Sequence, residues 1–395
     1  MKSFSKNKKW IFCDVIIQQR MINYNHHSVD CNQQKPSLFI KFKSLFWIVV
    51  ALFRVFYYFM LQFFIVKDKT ITVNSKAIFL KSKNGYDIDN LFKVYNYKNS
   101  ELVIIDAFKI KDYMSVIRID FMTLMRSFMR SFINYYSIIG YGFPRDIESA
   151  VARHGCRNIA QYSYILSFFQ TIEKKICVYS GGALFASNAA IEANLKTTYL
   201  LHGLMERVHS VVFPNFYKVY VYSKDEKMYI KSLGIKSNIN VYPSIKIKSK
   251  RKCILIFMRD CDKNMNMIKI LDMVNFFKLN NYLVLIKLHP QYRGKMINED
   301  NIPGVKVISK DTGDASSLIN SFHPSFVVAW QSTALCESLQ AEIIPIRMSH
   351  KITGLVMPYP LKERTLSWSN EKSIVRKSIV SSDFYDKTVH MLINR

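Results

Sequence analysis

Beyond residue 67 the chain alternates short apolar runs with longer amphipathic stretches, which is how a parallel sheet with crossover helices is written in sequence. Residues 102–108, LVIIDAF, read as a strand whose end carries Asp106, and 114–139 read as a helix that Gly140, Gly142 and Pro144 break. A helix around 158–174, a strand at 176–180, a Gly-Gly turn, a helix at 183–193 and a strand at 197–203 make a β-α-β unit. A strand at 219–223 and a helix running to Leu233 extend it. Residues 244–252 interrupt the pattern with Lys246, Lys248, Lys250, Arg251 and Lys252 and read as a linker. The alternation then restarts, with strands at 253–258, 282–290, 305–309, 326–330 and 343–347 and helices at 263–279, 314–321 and 332–341. The fold class expected is α/β, with two doubly wound Rossmann-type domains, 68–243 and 253–360, facing a cleft at the carboxyl ends of their strands. A tail, 361–395, holds one helix at 371–381 that is expected to pack back on the first domain.

Residues 1–36 form an N-terminal extension and 37–67 a hydrophobic helix. Within 44–66 the only charge is Arg54, and length permits a membrane span. A central arginine costs roughly 2.5–3.5 kcal/mol in a span. Lys41, Lys43, Lys67 and Lys69, with Trp47, Tyr57 and Tyr58, suit a helix lying in the interface of an anionic leaflet. Interfacial attachment at the cytoplasmic face of a bacterial inner membrane is the expectation, with a single span as the alternative and a buried core helix as the third reading. Residues 1–36 lack the small-residue cleavage site of a signal peptide, so secretion is not expected.

Charge changes the picture more than size does. Against 29 Asp+Glu stand 56 Lys+Arg, a net charge of +27, so the partners expected are polyanions: nucleic acid, an anionic membrane or a phosphorylated small molecule. Nucleic acid is disfavoured because the 23 Tyr and 28 Phe concentrate in apolar runs and do not interleave with Lys/Arg. The seven cysteines form no Cys-x-x-Cys pair and no zinc-spaced cluster, and are read as free thiols, mostly in the core. No Walker A loop, Rossmann glycine fingerprint or His-Glu-x-x-His is present, which disfavours an ATPase, a nicotinamide enzyme and a zinc protease.

Two places can hold an anion. His289-Pro290 follows the strand LIKL, so the imidazole is expected at the sheet's carboxyl edge with Lys287 and Arg293 nearby. In 330–346, WQSTALCESLQAEIIPI, Ser332 is expected to cap a helix whose free N–H groups, with the Ser332 and Thr333 hydroxyls, form a phosphate-sized site. Glu337 lies one turn in, on the face of Thr333, where it is expected to accept hydrogen bonds from ribose hydroxyls. Arg259, after the strand 253–258, is a further phosphate contact.

Strand, His-Pro, then strand, Ser-Thr, helix with Glu337 and a strand near Pro345 together resemble the donor-binding domain of bacterial GT-B glycosyltransferases. More narrowly, the motifs are similar to the His-Pro and Ser-Ser/Thr motifs of bacterial sialyltransferases and related capsule transferases for Kdo and polyol phosphates. The resemblance covers roughly 176–347. It implies that His289 and Ser332/Thr333 contact the phosphate of a nucleotide sugar, with a CMP-linked donor favoured. The Asp/Glu-Asp/Glu-Gly motif that supplies the base in those sialyltransferases is absent, so the base must come from elsewhere. His202 or Glu206, in TYLLHGLMERVHS, is the candidate, since Gly203 lets the chain turn at a strand end that the first domain would present to the cleft. Asp106 and His154 are held in reserve.

Ser180-Gly181-Gly182 is read as a tight turn. Two Asp-x-Asp triplets, 87–89 and 260–262, raise a metal-dependent alternative, but neither stands where such a site would be expected. The reading is therefore an inverting transferase without metal or other cofactor, adding a sugar to a surface polysaccharide or lipid-linked oligosaccharide acceptor. A non-catalytic membrane assembly protein with a transferase fold is the competing class.

Overall fold

The computed structural model describes residues 38–65, 75–81, 87–139, 145–201, 215–232, 235–243, 250–258, 267–289, 302–330, 332–348 and 364–394. They fall into two compact units. The first holds the described residues up to Leu201 with 215–221 and 227–241, and the second holds Tyr222–Glu226 and the described residues from Tyr242 onward.

The first stretch of chain supplies α1 (Leu38–Leu61), β1 (Ala77–Lys81), α2 (Asp87–Phe92), β2 (Leu102–Asp106), α3 (Ile110–Met114), α4 (Phe121–Ile139) and α5 (Arg145–Thr171). There follow β3 (Cys177–Ser180), α6 (Leu184–Glu192), β4 (Thr197–Leu200), β5 (Lys218–Val221), α7 (Lys224–Ser232) and β6 (Asn238–Val241). The strands pair in the order β2-β1-β3-β4-β5-β6, all parallel. Strands β1 and β6 were not expected. Each is short, and the polar residues around it leave too brief an apolar run to stand out.

The single helix expected over 114–139 is divided, because Asp120 starts a new one: its Oδ1 accepts the Thr123 N–H at 2.8 Å, the cap of α4. Helix α5 begins directly after Pro144, well ahead of the expected 158, since 145–157, RDIESAVARHGCR, carries little apolar periodicity. Helix α1 does not stand apart from the domain that follows. Ala51 and Val55 are fully buried in the first unit's core with Leu124, Tyr164 and Phe168. Just after it, the Gln62 amide donates to the Ile119 carbonyl at 2.9 Å and accepts the Ile119 N–H at 2.9 Å, while Tyr164 donates to the same oxygen at 3.2 Å. Among the described residues no helix is long and apolar enough to cross a membrane.

The second unit contains β7 (Arg251–Met258), α8 (Met267–Leu279), β8 (Leu283–Leu288), β9 (Lys306–Ile308), α9 (Ala315–Phe322) and β10 (Pro324–Ala329). It ends with α10 (Thr333–Gln340), β11 (Ile344–Arg347), β12 (Leu366–Ser367), α11 (Trp368–Val380) and α12 (Ser382–Asn394). The parallel order is β12-β11-β10-β7-β8-β9, the dinucleotide-fold order counted from β7 as the first strand. Helices cover both faces. Ile254, Ile256, Ile286 and Val328 pack on one side with residues of α8, α11 and α12, while Leu255, Leu285 and Val327 pack on the other with α9 and α10. Strand β7 starts at Arg251, so the last two residues of the expected linker are sheet.

The tail is a correction. Its helices belong to the second unit, with Val375, Tyr385, Val389 and Leu392 in that core. The Tyr385 hydroxyl donates to the Ser325 carbonyl of β10 and accepts the Ile344 N–H of β11 at 3.3 Å. Strands β10 and β11 are buried throughout and need a cover that α11 and α12 provide.

Candidate functional site

In an open parallel sheet, ligands bind where the strand order reverses, outside the carboxyl ends. In the second unit that point lies between β7 and β10. Strand β10 is buried along its length because it is central, and Ser332 follows three residues after its end. Ser332, extended at φ −151° and ψ 146°, caps α10 as expected: its Oγ accepts the Ala334 N–H at 3.2 Å. Thr333 opens the helix, whose positive end faces the switch point.

On the other side, the His289 N–H donates to the Met258 carbonyl at 2.8 Å, carrying the β7–β8 ladder one residue beyond the strand. The backbone of His289 is thereby held beside the end of β7, and its side chain is half-buried. His289 and Ser332/Thr333 thus stand at the carboxyl ends of two strands that each pair with β7.

Lys287 has another task. It is buried, and its Nζ donates to the carbonyls of Ser309 at 2.6 Å and Lys310 at 2.8 Å, fastening the turn after β9. Burial pulls its pKa down, with Asp311 opposing the shift. Two of its three donors are therefore spent on backbone, and the expectation that Lys287 holds the donor anion is corrected. Glu337 lies within α10's buried face, with 8% of it exposed. Around the adjoining Cys336 gather Glu337, Glu226, Asp225 and Arg364, and burial first, then these carboxylates, raise its thiol pKa well above the ordinary value. Arg364 and Asp225 form an ion pair at 2.9 Å.

One basic residue there was not singled out from sequence. Arg347 ends β11, level with Ala329 at the end of β10, and only 8% of it is exposed. Ile344 and Ile346 face α8, α11 and α12, whereas Ile343 packs with Ala334 of α10, so strand alternation turns Arg347 towards α10's side. Its Nε and Nη1 have no hydrogen-bond partner among the described residues. Burial lowers the guanidinium's pKa, and the Glu371 carboxylate partly restores it. A buried, under-bonded guanidinium at a sheet's carboxyl edge is suited to the paired oxygens of a phosphate. The signal available in sequence was an arginine closing the otherwise apolar strand IIPIR.

No family model matches the chain. No curated protein matches it either. Among solved structures it is similar to the wall teichoic acid polymerase TagF, at 12% identity and TM-score 0.45, over 91% of this chain and 93% of that one. It is also similar to the S. aureus MnaA–UDP structure, at 12% identity and TM-score 0.42, over 80% of this chain and 91% of that one. A third likeness is to the UDP-GlcNAc 2-epimerase of Neisseria meningitidis bound to UDP-GlcNAc, at 11% identity and TM-score 0.42, over 80% and 94%. With TM-scores below 0.5, these likenesses decide nothing about this chain's chemistry.

The remaining candidates divide clearly. His202, Glu206, Arg259, Pro290, Arg293 and the triplet 260–262 lie outside the described residues, as do the side chains of His154, Asp87 and Asp89. Asp106 is occupied locally: its Oδ1 accepts the Phe108 N–H at 3.0 Å and its Oδ2 meets Lys109 Nζ at 3.3 Å, which makes it a turn-former after β2. Ser180 likewise closes the turn read from sequence, its Oγ accepting the Ala183 N–H at 3.1 Å around Gly182 at φ 148°. Among the described residues no three His, Cys, Asp or Glu gather as a metal site.

Proposed function

We propose that the chain is an inverting glycosyltransferase that takes a sugar from a nucleotide donor bound at the carboxyl edge of the second unit's sheet. The observation carrying the reading is that His289, the capped N-terminus of α10 with Ser332 and Thr333, and the buried Arg347 all stand at the carboxyl edge of one sheet, at or beside its switch point. Departure of the sugar leaves negative charge on the nucleotide phosphate, and a helix N-terminus plus a desolvated guanidinium stabilises charge that develops there. His289 would donate to the same phosphate. The acceptor hydroxyl needs a base, for which His202 or Glu206 remains our candidate.

The donor we favour is CMP-linked, a nonulosonic acid such as sialic acid, with Kdo or a polyol phosphate next; the His-Pro and Ser-Thr pattern supports this choice. The acceptor we favour is a surface polysaccharide or lipid-linked oligosaccharide. The test is thermal unfolding of the purified chain with CMP, CDP, UDP, GDP and ADP, with and without magnesium. A ligand that binds only the folded state at a hundredfold excess over Kd stabilises it by about 2.7 kcal/mol. A CMP-selective rise in Tm without metal is expected. A UDP- or GDP-selective rise would keep the transferase and discard the donor class, and no rise with any nucleotide would sink the proposal. Within it, His289→Ala is expected to abolish transfer with the fold intact.

A further inference from the structure

Helix α1 has two unlike faces. One is spent in the first unit's core through Ala51 and Val55, and the Gln62 hydrogen bonds fasten its end. On the other, Phe46, Val49, Phe53, Phe56 and Met60 recur at intervals of three and four residues and are all exposed, Phe53 by 69%, and Phe63 in the turn just past the helix is exposed too. Helix α4 lies against α1 and extends this surface. Phe59 meets Phe121 edge-on at 5.1 Å between ring centroids, and Met122, Met129 and Ile133 of α4 are exposed, Ile133 by 63%. Scattered apolar residues on a surface mean little, but exposed apolar residues gathered on two adjoining helices point to an interaction site.

Charge selects the occupant. Neither α1 nor α4 contains an acidic residue, whereas they carry Arg54, Arg126 and Arg130, the last paired with Glu192; Arg118 sits 5.6 Å from the Phe63 ring centroid, and Asp120 caps α4. Apolar and aromatic side chains with more cations than anions beside them complement an interface of acyl chains beneath anionic headgroups. At 1.5 Å per residue the helix is about 36 Å long, and it can lie along such a surface but cannot leave the core to cross it without breaking the Gln62 and Tyr164 contacts. We propose that the exposed faces of α1 and α4 together form a monotopic docking surface for an anionic lipid leaflet. The sequence expectation placed attachment on 44–66 alone. The second helix is the addition.

Co-flotation of the full chain with vesicles tests this. Binding is expected to vesicles of phosphatidylcholine with phosphatidylglycerol, to weaken in high salt, and to be much weaker with phosphatidylcholine alone. Two double variants, Phe53→Glu with Phe56→Glu on α1 and Met129→Glu with Ile133→Glu on α4, should each cut partitioning about tenfold or more. Their Tm should stay unchanged, since all four side chains are exposed. Phe53→Leu with Phe56→Leu should retain binding and guards against a folding defect in the acidic pair. Absence of flotation on anionic vesicles at low salt would overturn the proposal, as would full binding by the α4 variant. A wild-type dimer that ignores vesicles and is split by these substitutions would assign the face to a second copy of the chain.

Discussion

At Arg347 a positive charge is buried with two of its nitrogens unbonded among the described residues, an arrangement that costs stability until an anion arrives. Arg347→Met, of similar length and without charge, is therefore expected to leave Tm unchanged or higher while removing the stabilisation by nucleotide. Thermal unfolding with and without ligand checks both halves, and a variant still stabilised as strongly as the wild type would exclude Arg347 from the site. Lys287→Met should do the reverse. It removes the hydrogen bonds to the carbonyls of Ser309 and Lys310, costing about 1 kcal/mol, yet leaves the nucleotide response in place. Cysteine chemistry follows burial too: Cys253, its thiol pKa pushed up by burial to about 11, and fully enclosed Cys336 should resist alkylation at pH 8 until denaturant is added. Peptide mapping after iodoacetamide would reveal either thiol if it reacts in the native state. Ser332 was legible from sequence because a serine between strand and helix has one strong local use, capping. Lys287 and Arg347 were not, because which way a side chain at a strand end turns depends on neighbouring strands that sequence does not name.

At the scale of elements, α1 is the informative case. Its apolar length reads as an interfacial helix first, then a span, then a core helix, and the structure assigns each of its faces separately. Gln62→Ala is expected to destabilise the protein by about 2–4 kcal/mol, since the N–H and carbonyl of Ile119 lose their partner together. Urea unfolding measures this; a change under about 0.5 kcal/mol would mean that α1 contributes little to the first unit's fold. Most strands with full apolar runs could be read in advance, from 102–106 to 343–347. Strands β1, β6 and β12 could not, being short pieces whose extended form comes from the ladder they join.

For the whole molecule, two parallel sheets of six described strands each follow from the repeated alternation of strand and helix, because a parallel pair needs a crossover. The proposed nucleotide site and lipid surface lie on different units. The Phe53/Phe56 and Met129/Ile133 variants are accordingly expected to keep the wild-type Tm increment with nucleotide. If they lose it, the two functions are structurally coupled.

The sequence by itself determined the α/β class, the run of parallel strands, the capped helix at Ser332 and the strong positive charge, since each rests on local chemistry repeated along the chain. Tertiary structure alone decided which strands are neighbours, and with them the switch point at β7 and β10. It also turned Lys287 to a backbone turn and Arg347 to the sheet edge, drew the tail helices into the second core, and left half of α1 uncovered. Those outcomes depend on contacts between residues far apart in the chain, and a local pattern carries no information about which distant partner wins.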